Sequence, residues 1–166
     1  TLTIQNCTIT FSSGKGILVE RGAGLTVQGS TLTLGTGNSP CNLASEQTNF
    51  WAGIKCVGSI ANSGSATINI SQSSIILAHI GVSGSSYNLI TGYYEDFPCN
   101  LTCTGGSSFI NNKIGVSMGT PNSSLKFWNS SVITNSNLPT VSFISGISLY
   151  QQKYASIIQG HFENSV

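Results

Sequence analysis

Charged residues are scarce in this sequence. Of its 166 residues, six are Lys or Arg and five are Asp or Glu, so the formal net charge is +1. Nucleic-acid binding rests on several Lys or Arg contacts with phosphates, and binding to an anionic membrane surface rests on a polybasic segment. The sequence has neither feature, and it lacks an apolar run long enough to span a bilayer. We therefore expect no nucleic-acid partner and no direct membrane insertion.

Metal-binding residues are also few. The two histidines, His79 and His161, lie far in sequence from the five cysteines, and no pair of CxxC motifs is present. A closed zinc site usually draws paired ligands at tight spacing, so we predict no metal and no cofactor. Cys99 and Cys103, in "DFPCNLTCTGG", fall in a predicted loop and are candidates for a short disulfide in an oxidising compartment.

What the sequence does contain is a repeated eight-residue pattern. The pattern is apolar at its first, third and eighth positions, small at its sixth, and has Asn, Gly or Gln at its fifth. Four segments share it: "LTIQNCTI" from Leu2, "LTVQGSTL" from Leu25, "INISQSSI" from Ile68 and "LKFWNSSV" from Leu125. Asn and Gly tolerate left-handed backbone angles, so the pattern predicts a strand, a bend and an inward apolar residue.

A second pattern alternates with the first along the chain. It is a Gly followed by an apolar-x-apolar triplet, and it occurs as "GILV" at 16, "GIKCV" at 53, "GVS" at 81, "GVSM" at 115 and "GISL" at 146. Looser copies of the first pattern place Phe109 and Phe162 at the late apolar position. We predict two longer insertions, at 36–50 and 84–104, and we expect Trp51 to plug the core or staple the first insertion.

Two alternating kinds of short strand predict one all-β unit over residues 1–166, a parallel β-solenoid of about five to six irregular coils. Stacked coils bring like positions into register at about 4.8 Å. A column of like charges would repel itself at that spacing, whereas Thr, Ser, Asn and Gln can hydrogen-bond along the stack. A β-sandwich also uses many short strands, but it gives no reason for the alternation. Because the chain opens within the strand-like "TLTIQNCTITF", we interpret it as a piece of a longer protein.

The order of the segments resembles a known family. "GILVERGAGLTVQGSTLT", "WAGIKCVGS", "GGSSFINNKIGVSM" and "FISGISLYQQKYASIIQGHFENS" look like the right-handed parallel β-helix repeats of large secreted proteins of Bacteroidota. Later coils in such proteins close with an "F-x-N" phrase, here Phe109 to Asn111 and Phe162 to Asn164. The resemblance spans nearly the whole chain. It implies a right-handed solenoid, a secreted or outer-membrane-associated cell-surface location, and export by type IX secretion machinery, but it implies no activity.

Acidic residues limit the catalytic options. A polysaccharide-cleaving β-helix needs a carboxylate pair, or a Lys or Arg base beside acids that bind calcium. Glu95 and Asp96 are adjacent, and neighbours on an extended strand point to opposite faces, so they make a poor pair unless the loop bends. Glu20 with Arg21 could still converge near Lys55. We expect no catalytic residue, and we keep a polysaccharide lyase or glycoside hydrolase as the alternative. The acids available are Glu20, Glu46, Glu95, Asp96 and Glu163.

The insertion "SGSSYNLITGYYEDFPCNLTCTGG" is the strongest candidate for recognition. Tyr offers a flat apolar face and a polar tip, which suit stacking on sugars or gripping a protein, and binding tends to reside on loops of a rigid scaffold. The alternative is that its aromatic residues only pack the insertion onto the solenoid. The candidate ligand-binding residues are Tyr87, Tyr93, Tyr94, Glu95, Asp96 and Phe97.

These observations predict a non-enzymatic structural and interaction segment that displays loops for adhesion or partner binding. Its expected partners are other chains or further coils at the open ends of the solenoid, surface glycans and the secretion machinery. A glycan-binding module is one alternative. Another is a flat ice-adsorbing face, although its regular columns persist in only the first two coils. The residues that suggest this face are Thr1, Thr3, Thr8, Thr10, Thr26, Thr31 and Thr33.

Overall fold

The structure is a computed structural model, and all regular elements among the residues it describes are β-strands. It describes residues 1–35, 50–57, 64–88, 93–96, 98–118, 123–129, 131–133, 145–149, 154–158 and 161–163. For the strands within 85–96 and beyond 129, the backbone alone is described. No helix long and apolar enough to cross a membrane occurs among these residues.

Short strands follow one another along the described chain. In order they are β1 (Leu2–Gln5), β2 (Thr8–Phe11), β3 (Gly16–Glu20), β4 (Gly24–Gln28), β5 (Thr31–Leu34), β6 (Gly53–Val57), β7 (Ala66–Ser71), β8 (Ser74–Ile76), β9 (Ile80–Ser83), β10 (Ser85–Asn88), β11 (Tyr93–Asp96), β12 (Cys99–Thr104), β13 (Ser108–Ile110), β14 (Ile114–Met118), β15 (Ser124–Trp128), β16 (Ser131–Ile133), β17 (Ser145–Leu149), β18 (Tyr154–Ile158) and β19 (His161–Glu163).

Three parallel sheets contain all of these strands except β10 and β11. Sheet A contains β1, β4, β7, β12, β15 and β18, sheet B contains β2, β5, β8, β13, β16 and β19, and sheet C contains β3, β6, β9, β14 and β17. The chain passes from A to B to C and returns to A, so three strands make one coil. Five coils have all three strands, and β18 and β19 begin a sixth. The prediction of an all-β parallel solenoid of about five to six coils is confirmed.

The register of sheet A confirms the eight-residue pattern. Leu2 pairs with Leu25, and Leu25 pairs with Ile68. Leu101 pairs with Ile68 on one side and with Leu125 on the other. The first-position residues therefore stack in one column, and all of these except Leu2, in the first coil, are buried. The core is built from such columns because side chains alternate between the two faces of each strand.

Threonine columns are short, as predicted. Thr3 pairs with Thr26, but Asn69 follows Thr26 in the third coil. In sheet B, Thr31 pairs with Ser74 in the third coil. A continuous flat Thr-x-Thr face is therefore confined to the first two coils.

The bend from sheet A to sheet B uses a residue with positive φ. The four predicted positions have φ values of 51° at Asn6, 56° at Gly29, 50° at Gln72 and 50° at Asn129. Gly105 takes this place in the fourth coil, with a φ of 65°. The backbone of the bend continues the ladder, since the Gln72 N–H donates to the Thr104 carbonyl at 3.2 Å. We refer to this turn as the A–B bend.

Small buried residues line the inner side of the A–B bend. Ser30 and Ser73 are almost fully buried, and each hydroxyl donates to a carbonyl of its own coil, Gln28 at 2.8 Å and Ser71 at 2.7 Å. Each hydroxyl also accepts an N–H from the preceding coil: Cys7 N–H donates to Ser30 Oγ at 3.2 Å, and Ser30 N–H donates to Ser73 Oγ at 3.0 Å. A small hydroxyl residue thus satisfies buried backbone groups that an apolar residue would leave unpaired.

The second sequence pattern forms a glycine column at the start of sheet C. Gly16 pairs directly with Gly53, and the pairing of later strands extends the column. A Cβ on Gly53 would overlap the carbonyl oxygen of Ile80, and its φ is 90°. Larger residues are therefore excluded at this position by both space and backbone conformation. The column consists of Gly16, Gly53, Gly81, Gly115 and Gly146.

Trp51 lies in the core, which confirms that it packs inside rather than projecting to solvent. Its ring stacks on Phe11 with centroids 4.4 Å apart and planes 9° apart. Its indole N–H donates to the Ile76 carbonyl at 2.7 Å, so the buried polar atom has a partner. Residues 36–49 of the first predicted insertion lie outside the described residues.

Candidate binding surfaces

The second predicted insertion contains a β-hairpin between the third and fourth coils. Strands β10 and β11 pair antiparallel, with Tyr87 opposite Tyr94 and Ser86 opposite Glu95. Strand β10 lies beside β6 of the second coil. Candidate residues Tyr87, Tyr93, Tyr94, Glu95 and Asp96 thus share one two-stranded element, while Phe97 lies outside the described residues. Their role in ligand binding stays a prediction.

The predicted boundary of this insertion, residue 104, needs correction. Cys99–Thr104 is not a loop but strand β12, the sheet A strand of the fourth coil. Its odd-numbered residues are buried, and Leu101 occupies the first position of the eight-residue pattern. The pattern was missed here because the A–B bend of this coil contains one residue more than the others, with Gly105 and Gly106 both at positive φ. The extra residue shifts the late apolar residue, Phe109, by one position.

Strand β12 also changes the interpretation of Cys99 and Cys103. The two residues are four positions apart on one extended strand, which separates their Cα atoms by about 13 Å. A disulfide requires Cα atoms closer than about 7 Å. Both are buried free thiols in the structure. The candidate disulfide between them is therefore incompatible with the strand geometry.

The thiols of Cys56 and Cys103 are poor nucleophiles. A hydrogen bond with Cys99, burial, and the nearby Cys99 thiol all raise the pKa of Cys56. Burial and then Cys99 raise the pKa of Cys103 well above that of a free thiol. Because the thiolate is the reactive form, these cysteines act as small apolar core residues.

A small pocket lies beside the start of β6. It is lined by Gly14, Phe50, Ala52, Lys55 and His79 and encloses about 330 Å³. His79 meets Phe50 edge to face, with centroids 6.5 Å apart, and its backbone N–H donates to the Trp51 carbonyl at 2.8 Å. His79 thus packs at a bend of the chain. Among the described residues that line the pocket, none is a carboxylate that could act with His79 or Lys55 as an acid–base pair.

Glu20 comes near Lys55, as predicted, but the two residues are diagonal neighbours on paired strands. Glu20 lies opposite Val57 and Lys55 lies opposite Leu18, so the two charges are on neighbouring strands without being direct partners. The Arg21 Nε donates to the Gly64 carbonyl at 3.1 Å. Within the described part of the chain, no group of three His, Cys, Asp or Glu residues could hold a metal ion.

A shallow groove runs along the A–B bend. It encloses about 520 Å³ and is lined by Gln28, Ser71, Gln72, Thr104, Gly105, Trp128 and Asn129. These residues come from the second to the fifth coil, so the groove follows the solenoid axis over three interstrand spacings, or about 14 Å. We refer to it as the bend groove.

Trp128 dominates one end of the bend groove. Its side chain is 50% exposed, although the neighbouring Phe127 is fully buried. The Lys126 Nζ lies 5.1 Å from the centre of the Trp128 ring. This cation–π contact holds the ring on the outer face of sheet A, where β15 carries both side chains.

Sequence reasoning did not single out the bend groove. The available signal was the fourth position of the eight-residue pattern, which is Gln5, Gln28 and Ser71 in three segments but Trp128 in "LKFWNSSV". Core packing does not explain a large aromatic residue at an outward-facing position. Gln72 and Asn129 line the same groove because their coils are stacked. The sequence pattern alone did not reveal this stacking.

Comparisons with known proteins leave the chain without an assigned relative. No family model, curated protein or solved structure matches it. The likeness to Bacteroidota repeat proteins therefore stays a prediction.

Proposed function

We propose that the chain is a non-enzymatic structural and interaction segment of an exported, cell-surface β-helix protein. The observation that carries the proposal is that the chain visits sheets A, B and C in turn, which yields a stack of coils with a hairpin inserted between the third and the fourth. Such a stack presents continuous outer faces and loops at fixed spacing, which suits adhesion or partner binding. The cell-surface location and type IX export rest on the resemblance of the segment order.

The first coil supports a partner at the end of the solenoid. Leu2 occupies the inward column of sheet A but is 59% exposed, because no described coil covers it. Its strand, β1, also has an unpaired edge, as do β2 and β3 within the described sheets. Further coils of the parent protein, or another chain, would bury the apolar column and pair the edge strands.

The alternative is a polysaccharide lyase or glycoside hydrolase. Lys55 and the hairpin residues Glu95 and Asp96 are the groups that would serve it, since β10 lies beside β6. Against this reading, none of the described residues that line the His79 pocket carries a carboxylate. General acid–base catalysis needs a group of suitable pKa within hydrogen-bond reach of the proton that moves.

Polysaccharide turnover separates the two functions. We would incubate the chain with polygalacturonate, alginate, xylan and glucomannan, and measure new reducing ends and the absorbance of unsaturated uronates. We expect no turnover above the buffer blank. Turnover that falls by about a hundredfold in Lys55→Ala, but is unchanged in the exposed-site control Lys15→Ala, would overturn the non-enzymatic proposal.

A further inference from the structure

The bend groove has the composition of a sugar-binding surface. Gln28, Gln72 and Asn129 are exposed at its sides, and each amide can both donate and accept hydrogen bonds. Sugar hydroxyls do the same, so amides and hydroxyls are matched partners. The half-exposed Trp128 ring adds an apolar platform on which the C–H face of a sugar ring can stack.

Backbone groups of the groove form hydrogen bonds from one coil to the next. Gly29 N–H donates to the Ser71 carbonyl at 3.0 Å, and Gln72 N–H donates to the Thr104 carbonyl at 3.2 Å. The side chain of Gln72 lies over Gly105, where an added Cβ would come within 3.1 Å of Gln72 Cγ. The side chains, held on a fixed ladder, are thus what a ligand would contact.

The charge of the surrounding surface selects a neutral ligand. Lys126 is the one charged side chain at the outward-facing positions of the described sheet A strands up to β15, and it already lies against the Trp128 ring. An anionic polymer would need cations repeated along the groove. Gln28, Ser71 and Thr104, which stand in register across three coils, are neutral instead.

The shape of the groove favours a polymeric ligand over a small molecule. Its lining residues are exposed or half-buried, and they continue in the direction of the solenoid axis over about 14 Å. A linked row of sugars fits a surface of this kind because it can enter and leave along the axis.

We propose that the bend groove binds a neutral polysaccharide chain lying along the solenoid axis, with Trp128 stacked on a sugar ring and Gln72 and Asn129 bonded to its hydroxyls. This inference does not depend on the hairpin or on the absence of catalysis. It is a separate binding site on the scaffold.

The two tryptophans make the proposal measurable. Trp51 is fully buried and Trp128 is half-exposed, so added iodide will quench mainly Trp128. We would titrate the chain with soluble glucomannan, xyloglucan and hydroxyethylcellulose as neutral probes, and with polygalacturonate and heparin as anionic probes. We expect a neutral polymer to change the tryptophan emission and to protect Trp128 from iodide.

Substitutions of groove residues test whether the polysaccharide binds at the bend groove. Trp128→Ala should weaken binding by about tenfold or more, as measured by affinity electrophoresis, and Trp128→Phe should weaken it less. Gln72→Ala and Asn129→Ala should each weaken it by about threefold. Leu18→Ala is the matched control, because Leu18 is 66% exposed on sheet C, away from the groove, and its loss should leave binding unchanged.

Three results would overturn the proposal. The first is that a chain with the circular dichroism of folded β-structure binds none of the neutral probes. The second is that it binds only the anionic probes. The third is that the wild-type chain and Trp128→Ala bind equally well. Turnover of polysaccharide in the presence of an intact groove would overturn the non-enzymatic function alone, so the two proposals fail separately.

Discussion

The A–B bend and the return from sheet C to sheet A solve the same geometric problem in different ways. Two residues connect sheet A to sheet B in every coil except the fourth, which uses three. On the return to sheet A, three residues separate β3 from β4, but fifteen separate β9 from β12 and include the hairpin. The A–B bend is short because a positive φ, a ladder hydrogen bond and a buried Ser all act on it, whereas the return can lengthen into solvent.

This difference teaches where such a fold can acquire a binding site. At the return corner, a new element can be inserted, as the hairpin is. The A–B bend varies by one residue among the coils, so a site can arise there mainly by exchange of outward side chains. Trp128 is such an exchange, since it stands where other coils have Gln28, Ser71 and Thr104.

The largest expected change in unfolding free energy comes from lengthening the A–B bend, with the same insertion in the return connection as its comparison. A Gly-Ser insertion after Gln72 should destabilise the chain by more than about 3 kcal/mol, because it breaks the ladder and moves a buried Ser. The same insertion between residues 90 and 91 should cost less than about 1 kcal/mol, because loop length has a weak entropic effect. Urea unfolding would measure both, and equal losses would contradict the distinction between the two regions.

A smaller effect is expected inside the A–B bend. Ser73→Ala removes the acceptor of the buried Ser30 N–H and should destabilise the chain by about 2 kcal/mol. Ser12→Ala is the control, because Ser12 is exposed between sheets B and C, and its loss should change the unfolding free energy by less than about 0.5 kcal/mol. If both substitutions cost the same in urea unfolding, the buried hydroxyl is not what fixes the bend.

The smallest effect has the opposite sign. Gln72→Gly should stabilise the chain by about 0.5 kcal/mol, since Gly adopts the φ of 50° found here without a Cβ penalty. The same substitution should weaken neutral-polysaccharide binding, because it removes an amide of the bend groove. Thermal unfolding and affinity electrophoresis on one preparation would measure the stability and the binding. A loss of stability would show that the packing of Gln72 over Gly105 stabilises the chain by more than the positive φ of Gln72 destabilises it.

Local patterns predicted much of this fold. Apolar residues at alternate positions identified the inward columns, and Asn6, Gly29, Gln72 and Asn129 identified the bends, because these features depend on residues close in sequence. The boundary at Cys99 was misjudged because a single extra bend residue disguised the fourth coil. Its correction came from the register with Ala66 in the preceding coil.

The candidate sites were less accessible from the sequence. The hairpin could be found as an aromatic insertion, but the pairing of Tyr87 with Tyr94 could not. The bend groove joins Gln28 to Asn129 across residues that are far apart in the chain, and no single segment contains its pattern. The neighbourhood of Cys56 and Cys99 is likewise a product of stacking.

The sequence by itself determined the alternation of the two strand patterns, the identity of the inward residues and the positive φ at four of the A–B bends. Each of these follows from the steric and hydrophobic preferences of a few adjacent residues. Only the tertiary structure decided that β12 belongs to sheet A, that Cys99 and Cys103 remain thiols, and that Trp128 shares a groove with Gln72 and Asn129. The reason is that parallel strands pair only after a complete coil, so their neighbours are set by the length of every intervening turn.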